Sequence, residues 1–215
     1  MKALKYYSVY LGRPELFDQM RKRANLRWKP NRISDTALRI LTKDSVNEAL
    51  AYLSEISSSD IDDRYKQVVF LAAETGIRAK EIFLLSKLKD RIPVSNGFYE
   101  CFRSKEFLRR SKNLFIVYHD EVIEKRLEEV KKATRFGFMH AVKRAGLGSK
   151  LQVLRDAWAN LLLRNGLARE EVDILQGRVG QSIFVRYYFT VNKKRLYDEV
   201  SKVVSEIRKE IIKEN

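Results

Sequence analysis

Near its C-terminus the chain reads Leu175-Gln176-Gly177-Arg178-Val179-Gly180-Gln181-Ser182-Ile183-Phe184-Val185-Arg186-Tyr187-Tyr188. This is a polar turn with one arginine, followed by a segment that ends in two tyrosines. Two further arginines, Arg78 and Arg155, lie upstream in Gly76-Ile77-Arg78-Ala79-Lys80-Glu81 and Gln152-Val153-Leu154-Arg155. Guanidinium groups stabilise the charge that develops on a phosphodiester, and a tyrosine can serve as a covalent nucleophile. Together these residues favour phosphoryl transfer through a tyrosine.

The charge of the chain points to a polyanionic partner. Among 215 residues, 43 are Lys or Arg and 28 are acidic, so the formal net charge is +15. The hydrophobic content of 45% is sufficient for a folded core. Nucleic acid is the leading partner for a globular chain of this charge, and the alternatives are anionic lipid or a merely solvated basic surface.

Several classes of protein are not favoured. No uninterrupted apolar stretch approaches the roughly 20 residues that cross a bilayer, and the N-terminus lacks the pattern of a secretory signal. Cys101 is the only cysteine, which excludes an intrachain disulfide and a cysteine-based metal cluster. With only His119 and His140 in addition, we expect no metal site and no cofactor. The protein is therefore expected inside a cell and not in a membrane.

The sequence predicts two domains. Residues 1–32 form a helical segment and a basic linker, and residues 33–215 form the main domain. The linker is rich in cations and free of acids, which suits contact with a phosphate backbone, although a solvated linker remains the alternative. The residues predicted to bind DNA here are Arg21, Lys22, Arg23, Arg27, Lys29 and Arg32.

The main domain is predicted as α+β, mainly helical with one small antiparallel sheet. Helical patterns lie at 42–58, 65–74, 81–85, 121–132, 134–145, 151–165, 169–175 and 193–212. The segments 98–103 and 113–118 are aromatic and β-branched and predict the sheet. Arg78 is placed on a turn between two buried helices, where a charge needs a compensating partner.

Four cations lie in or beside the connection between the predicted strands. A leaving alkoxide needs a proton, and a lysine on a turn beside the site can supply it. Lys112 and Lys105 are the candidates for this role, and Arg109 and Arg110 are predicted to contact DNA.

From residue 33 onward the chain resembles the catalytic domain of tyrosine recombinases, in particular the integrases of archaeal viruses and plasmids. The segment around Arg78 and Glu81 resembles the first arginine box of that family, and Leu154-Arg155 followed by an apolar helix resembles the second. The segment from Leu175 to Tyr188 is similar to the archaeal form of the last box. Three boxes in the family's order carry this resemblance.

The resemblance implies a tyrosine recombinase catalytic-domain fold and a role for each matched residue. Arg78, Arg155 and Arg178 would stabilise the phosphate, and Glu81 would support the first arginine. Lys112 would be the general acid, with Lys105 as the alternative.

The resemblance leaves two candidates for the nucleophile. The archaeal pattern selects Tyr188, which we favour, whereas the spacing in common bacterial members selects Tyr187.

The chain departs from the family pattern at three positions. Gln152 stands where many members have histidine, and Asp156 follows Arg155 where many have a basic or aromatic residue. Arg178 stands where many members carry histidine or tryptophan in the last box. Gln152 can still hydrogen-bond a phosphate oxygen, but it cannot transfer a proton at neutral pH.

The predicted function is site-specific DNA recombination through a 3′-phosphotyrosyl intermediate. The expected partners are double-stranded attachment sites and further copies of the chain, which form a tetramer on DNA in this family. The resemblance also implies a location in the cytoplasm of a host cell, in association with DNA. Members of the family pass the C-terminal segment to a neighbouring subunit, and packing on its own domain is the alternative. The N-terminal segment would be a remnant of the family's DNA-clamping domain. Alternative functions are a non-catalytic basic DNA-binding protein with the same fold and a type IB topoisomerase-like enzyme that relaxes DNA.

Overall fold

The computed structural model describes residues 44–108, 113–148, 150–178 and 190–213, together with position 19. The chain divides into two compact units, Met1–Lys43 and Asp44–Asn215, and the described residues lie in the second unit apart from position 19. The predicted domain boundary between residues 32 and 33 and the predicted basic linker lie outside the described residues.

The described part of the chain is mainly α-helical, and the predicted helices are present with ends within three residues of those expected, close to the usual uncertainty of helix boundaries. The α-helices are α1 (Ser45–Ser58), α2 (Asp63–Thr75), α3 (Ala79–Leu88), α4 (Glu121–Lys131), α5 (Arg135–Arg144), α6 (Leu151–Arg164), α7 (Arg169–Leu175) and α8 (Lys193–Lys213). Short 3₁₀ helices lie at Lys89–Arg91, Cys101–Arg103 and Lys105–Phe107.

Polar side chains cap the starts of several helices. An oxygen of Asp44 accepts the N–H of Asn47 at 3.2 Å before α1, and one of Asp120 accepts the N–H of Ile123 at 2.9 Å before α4. Thr134 caps α5 in the same way. Each cap satisfies a backbone N–H that has no partner inside the first turn, so local sequence sets these helix starts.

The predicted small sheet is antiparallel and three-stranded, with the order β1 (Val94–Ser95), β2 (Phe98–Tyr99) and β3 (Val117–Tyr118). Phe98 pairs with Tyr118, and Tyr99 pairs with Val117. Phe98, Tyr99, Val117 and Tyr118 are all buried, so the sheet contributes directly to the core.

The strands are shorter than the predicted segments 98–103 and 113–118. After Tyr99 the chain turns into 3₁₀ helices, and Phe102 is 39% exposed. Beyond the paired strands β2 and β3, the two segments share one more backbone hydrogen bond, in which the N–H of Phe102 donates to the carbonyl of Phe115 at 2.9 Å. The aromatic pattern indicates contact with the core as well as extended backbone, so it overestimates strand length.

The core centres on α6, which packs against α1 and α2. Trp158 of α6 is buried, and its indole N–H donates to the carbonyl of Glu74 at 3.1 Å. Gly76, which ends α2 at a φ of +63°, lies against this ring, and a Cβ there would lie 2.3 Å from a ring carbon. The turn between α2 and α3 is therefore held against α6.

The C-terminal helix α8 packs on its own domain, against α1, α2 and α6. The predicted apolar face is buried along the helix: Leu196, Val200, Val203, Val204, Ile207 and Ile211. Arg208, on the same helix, donates to Asp120 at 2.7 Å and to Glu74 at 3.0 Å. None of the helices in the described residues combines the length and the apolar character needed to cross a membrane.

Candidate active site

Arg78 occupies the N-cap position of α3, directly after the turn that ends α2. Its backbone N–H donates to Glu81 Oε2 at 2.9 Å, and its Nη1 donates to Glu81 Oε1 at 2.6 Å. The side chain of Arg78 is 28% exposed, whereas that of Glu81 is 1% exposed. The buried carboxylate thus fixes a guanidinium that still reaches the surface.

Glu81 also approaches Arg155, the second predicted arginine. Arg155 Nη1 lies 3.8 Å from Glu81 Oε2, and both side chains are almost fully buried. A single carboxylate therefore lies between two guanidinium groups, which it both orients and partly neutralises.

Arg155 lies on α6 in a setting that disfavours its charge. Burial lowers the pKa of its guanidinium to about 10; Arg78 adds to this effect, Glu81 opposes it, and Arg178 lowers the pKa further. Among the described residues, Nη1 has no hydrogen-bond partner. Leaving a buried donor unpaired costs roughly 1–3 kcal/mol, so an anionic oxygen here would be stabilising.

Arg178 follows the left-handed Gly177 that comes after α7. Its backbone N–H donates to the carbonyl of Asp173 at 2.7 Å, and its Nη1 lies 3.7 Å from Asp173 Oδ1. The side chain is 55% exposed. Arg178 stands two residues after Gln176, which bonds Arg155, so the third predicted arginine lies on a turn that contacts the second.

Gln176 joins the third arginine to the second. It is 4% exposed, and its side-chain Nε2 donates to the backbone carbonyl of Arg155 at 3.0 Å. The backbone carbonyl of Gln176 accepts in turn from Arg155 Nη2 at 3.4 Å. The structure thus brings together Arg78, Glu81, Arg155 and Arg178, here called the arginine cluster.

Two further residues of the predicted active site lie in the described part of the chain. Gln152 is exposed on α6, and its amide donates to Asp156 Oδ1 at 2.7 Å. Lys105 is exposed at the start of the 3₁₀ helix Lys105–Phe107. The predicted general acid and nucleophiles, Lys112, Tyr187 and Tyr188, lie outside the described residues, as do the predicted DNA-binding residues Arg21, Lys22, Arg23, Arg27, Lys29, Arg32, Arg109 and Arg110.

The predicted turn at Gly177 is present, since a glycine directly after a short helix is a recognisable helix-ending signal. Sequence reasoning missed the part played by Gln176. Its burial and its bonds to Arg155 were not accessible from the pattern, because they join residues 21 positions apart in the chain.

Among the described residues, one group of acids brings carboxylate oxygens close together: Asp90, Glu124 and Glu128. Lys89 Nζ lies among them, 3.2 Å from Asp90 and 2.7 Å from Glu128, and it also bonds Glu124. Burial alone would lower the pKa of Lys89, but the carboxylates more than offset it and the pKa is raised. These acids therefore serve as partners of a buried ammonium group.

A family model for archaeal phage integrases matches residues 38–206. The chain belongs to the archaeal phage integrase family. The matched part of the chain contains the whole arginine cluster and also Lys112, Tyr187 and Tyr188. No curated protein and no solved structure matches the chain. Family membership indicates a recombination function on DNA, in agreement with the charge of +15.

Proposed function

We propose that the chain is a site-specific DNA recombinase that cuts and rejoins strands through a 3′-phosphotyrosyl intermediate. The observation that carries this proposal is the arginine cluster, in which Glu81 lies between Arg78 and Arg155 while Gln176 connects Arg155 to the turn of Arg178. Three guanidinium groups gathered from α3, α6 and the turn after α7 suit one phosphate with two non-bridging oxygens.

The three arginines would act on charge. As a nucleophile attacks phosphorus, negative charge builds on the non-bridging oxygens, and donors that are already in place stabilise it without reorganisation. Arg155 suits this role best, because its buried Nη1 lacks a hydrogen-bond partner within the described residues. A phosphate oxygen would supply that partner and restore the pKa that burial lowers.

The proposed reaction exchanges one phosphodiester for another. The phenolate oxygen of Tyr188, or of Tyr187 as the alternative, attacks phosphorus, and the bond from phosphorus to the 5′ oxygen breaks. Lys112, or Lys105 as the alternative, gives its proton to that leaving oxygen. A 5′ hydroxyl of the partner strand then attacks the phosphotyrosine and releases the tyrosine, so the bond is reformed without a further energy source.

The proposed partners are double-stranded attachment sites and further copies of the chain, with a tetramer as the recombining assembly. The exposed guanidinium of Arg178 is accessible to a DNA backbone, while Arg78 is partly accessible. The cations of the 21–32 segment would add backbone contacts that do not depend on sequence.

Covalent capture tests the proposal. A library of nicked duplexes with randomised sequence, in which the cleaved fragment diffuses away, is incubated with the full chain, and denaturant-stable protein–DNA adducts are collected and sequenced. We expect an adduct that maps by peptide digestion to the segment holding Tyr187 and Tyr188.

Tyrosine variants identify the nucleophile. Tyr188→Phe should abolish the adduct, because phenylalanine lacks the attacking oxygen, and should leave DNA affinity within about threefold of the wild type, since the ring and the charges remain. Tyr187→Phe is the matched control and should retain cleavage. Loss of the adduct in Tyr187→Phe alone would transfer the role to Tyr187.

One observation favours a second candidate function, a DNA-binding protein without chemistry. The amide of Gln152 donates one of its two N–H groups to Asp156 at 2.7 Å, beside Arg155, and a neutral amide cannot give a proton to a leaving group. Under this alternative the chain binds duplex DNA and yields no adduct from any library member. Relaxation of supercoiled DNA without sequence preference would indicate a topoisomerase-like activity instead.

A further inference from the structure

The turn at Gly177 fits against the backbone of Asn113 with no room for a side chain. Gly177 has a φ of +71°, and a Cβ there would lie 1.7 Å from the carbonyl oxygen of Asn113 and 2.6 Å from its carbonyl carbon. Both atoms belong to backbone, which cannot rotate away as a flexible side chain could. Gly177 is therefore required for a close approach as well as for a left-handed turn.

The Asn113 side of this contact is anchored in the core. The N–H of Leu114 donates to the carbonyl of Phe107 at 3.0 Å, and Leu114 and Phe107 are each 1% exposed. Asn113 follows directly after Lys112, the candidate general acid. Gly177 thus contacts the residue that follows the candidate proton donor in the sequence.

The other side of the turn is anchored to the arginines. Gln176 exchanges two hydrogen bonds with Arg155, and Arg178 follows Gly177 directly. The consecutive residues Gln176, Gly177 and Arg178 therefore form one junction. Gln176 bonds Arg155 of α6, Gly177 contacts the backbone of Asn113, and Arg178 is the third arginine. A buried glutamine and a crowded glycine at this junction are not needed for the helix end itself, which a glycine in open space would satisfy.

We propose that Gln176 and Gly177 are positioning residues for strand cleavage. Gly177 sets the distance between the arginine cluster and the segment that carries Lys112, and Gln176 sets the turn of Arg178 relative to Arg155. This inference rests on the proposed recombinase function. Gly177 would align the proton donor with the leaving oxygen, and Gln176 would align the arginines that stabilise charge on the phosphate.

A pair of substrates separates the two steps. One is a nicked duplex captured by the wild-type chain; the other is the same duplex with sulfur in place of the bridging 5′ oxygen at the cleaved bond. A thiolate leaves without a proton, because a thiol has a pKa of about 8.5, whereas the normal alkoxide needs one. Only a defect in proton donation is repaired by the sulfur substrate.

Gly177→Ala should slow cleavage of the ordinary duplex by about 100-fold or more, the usual contribution of a general acid. On the sulfur substrate its rate should return to near that of the wild type, and DNA affinity should be unchanged. Gly146→Ala is the matched control, since Gly146 has a φ of +72° with nothing within 4 Å of a built Cβ. The control carries the same backbone strain without the contact and should cleave both duplexes normally.

Gln176→Leu removes the hydrogen bond from the side-chain amide to the carbonyl of Arg155 at similar volume, and it keeps the inference testable where Gly177→Ala folds poorly. It should slow both substrates by a similar factor, about 10- to 100-fold, because misplacement of Arg155 and Arg178 affects charge stabilisation and not the proton. The opposite response of the two variants to sulfur is something that loss of stability alone would not produce.

The outcomes for the two variants and for the wild-type chain test different parts of the inference. Equal slowing of Gly177→Ala on both substrates would overturn the link to proton donation, and normal cleavage by it or by Gln176→Leu would overturn the positioning role of that residue. Failure of the wild-type chain to form an adduct with either duplex would overturn the proposed function, and the inference with it.

Discussion

At the scale of single residues, Glu81 has the most constrained position in the site. Its carboxylate accepts from the backbone and the side chain of Arg78 and lies 3.8 Å from Arg155, while only 1% of its side chain is exposed. Two guanidinium groups so close together would repel each other without it. A charge that holds two cations in place leaves them correctly oriented for a second anion, which here would be the phosphate.

Glu81→Gln should lower the free energy of unfolding by about 3 kcal/mol, since a buried ion pair that loses one partner leaves an uncompensated charge. The amide keeps the shape of the side chain and can still accept from the N–H of Arg78, so the loss reports on charge. Urea denaturation measures it. Inorganic sulfate should restore more stability to the variant than to the wild type, because an anion that binds only the folded state stabilises it.

The matched control is Glu206→Gln, which removes an exposed carboxylate from α8 and should change stability by no more than about 0.5 kcal/mol. An equal response of Glu81→Gln and the wild type to sulfate would contradict the idea that Glu81 compensates an anion site.

At the scale of elements, much of this fold was predictable from sequence because its helices carry their own start and stop signals. Asp44, Thr134 and Gly76 act locally, so the bounds of α1, α5 and α2 follow from a few neighbouring residues. The sheet was less predictable: residues 101–107 are aromatic and buried in part, but they form 3₁₀ turns, since core contacts and not strand pairing determine their conformation.

The candidate site shows the same division. Arg78, Arg155 and Arg178 were recognisable from their positions beside turns and helix starts. The structure places Arg78 and Arg155 around Glu81 and Arg178 on the turn that Gln176 joins to Arg155. The junction through Gln176 and the contact of Gly177 with Asn113 were not recognisable, because each depends on residues that are distant in sequence.

The turn between α2 and α3 makes an element-scale prediction. Gly76→Ala should lower the free energy of unfolding by about 3 kcal/mol, which combines left-handed strain with the overpacking of a methyl group 2.3 Å from the ring of Trp158. Gly166→Ala is the control, because Gly166 also has a positive φ, +88°, but has open space around it. It should cost only about 1–2 kcal/mol, the strain alone. Equal losses in the two variants would show that the ring is not a barrier.

At the scale of the whole molecule, buried acids organise the arginines of the described domain. Glu74 is fully buried, lies 3.1 Å from Arg126 of α4 and accepts from Arg208 of α8 at 3.0 Å. Arg208 also bonds Asp120 at the start of α4. One ionic network thus joins α2, α4 and α8, and it fastens the C-terminal helix, which follows the segment of Tyr187 and Tyr188, to its own domain.

This network predicts how stability depends on pH. Burial would raise the pKa of Asp120, but the hydrogen bonds and charge of Arg208 more than offset this and lower it. The unfolded chain therefore binds more protons in acid, so the stability that the pair contributes is present at neutral pH and is lost as the pH falls below about 4. Arg208→Met should lower the free energy of unfolding at neutral pH by about 3 kcal/mol and should flatten its decline in acid, because the partner that lowers the pKa is gone. Urea denaturation between about pH 7 and about pH 3 measures both effects.

The control is Lys202→Met on the same helix. The exposed Lys202 pairs only with Glu199 among the described residues, so this variant should leave the decline in acid unchanged. An acid decline in Arg208→Met as steep as that of the wild type would mean that other carboxylates control acid stability and that Arg208 does not fasten α8 through Asp120.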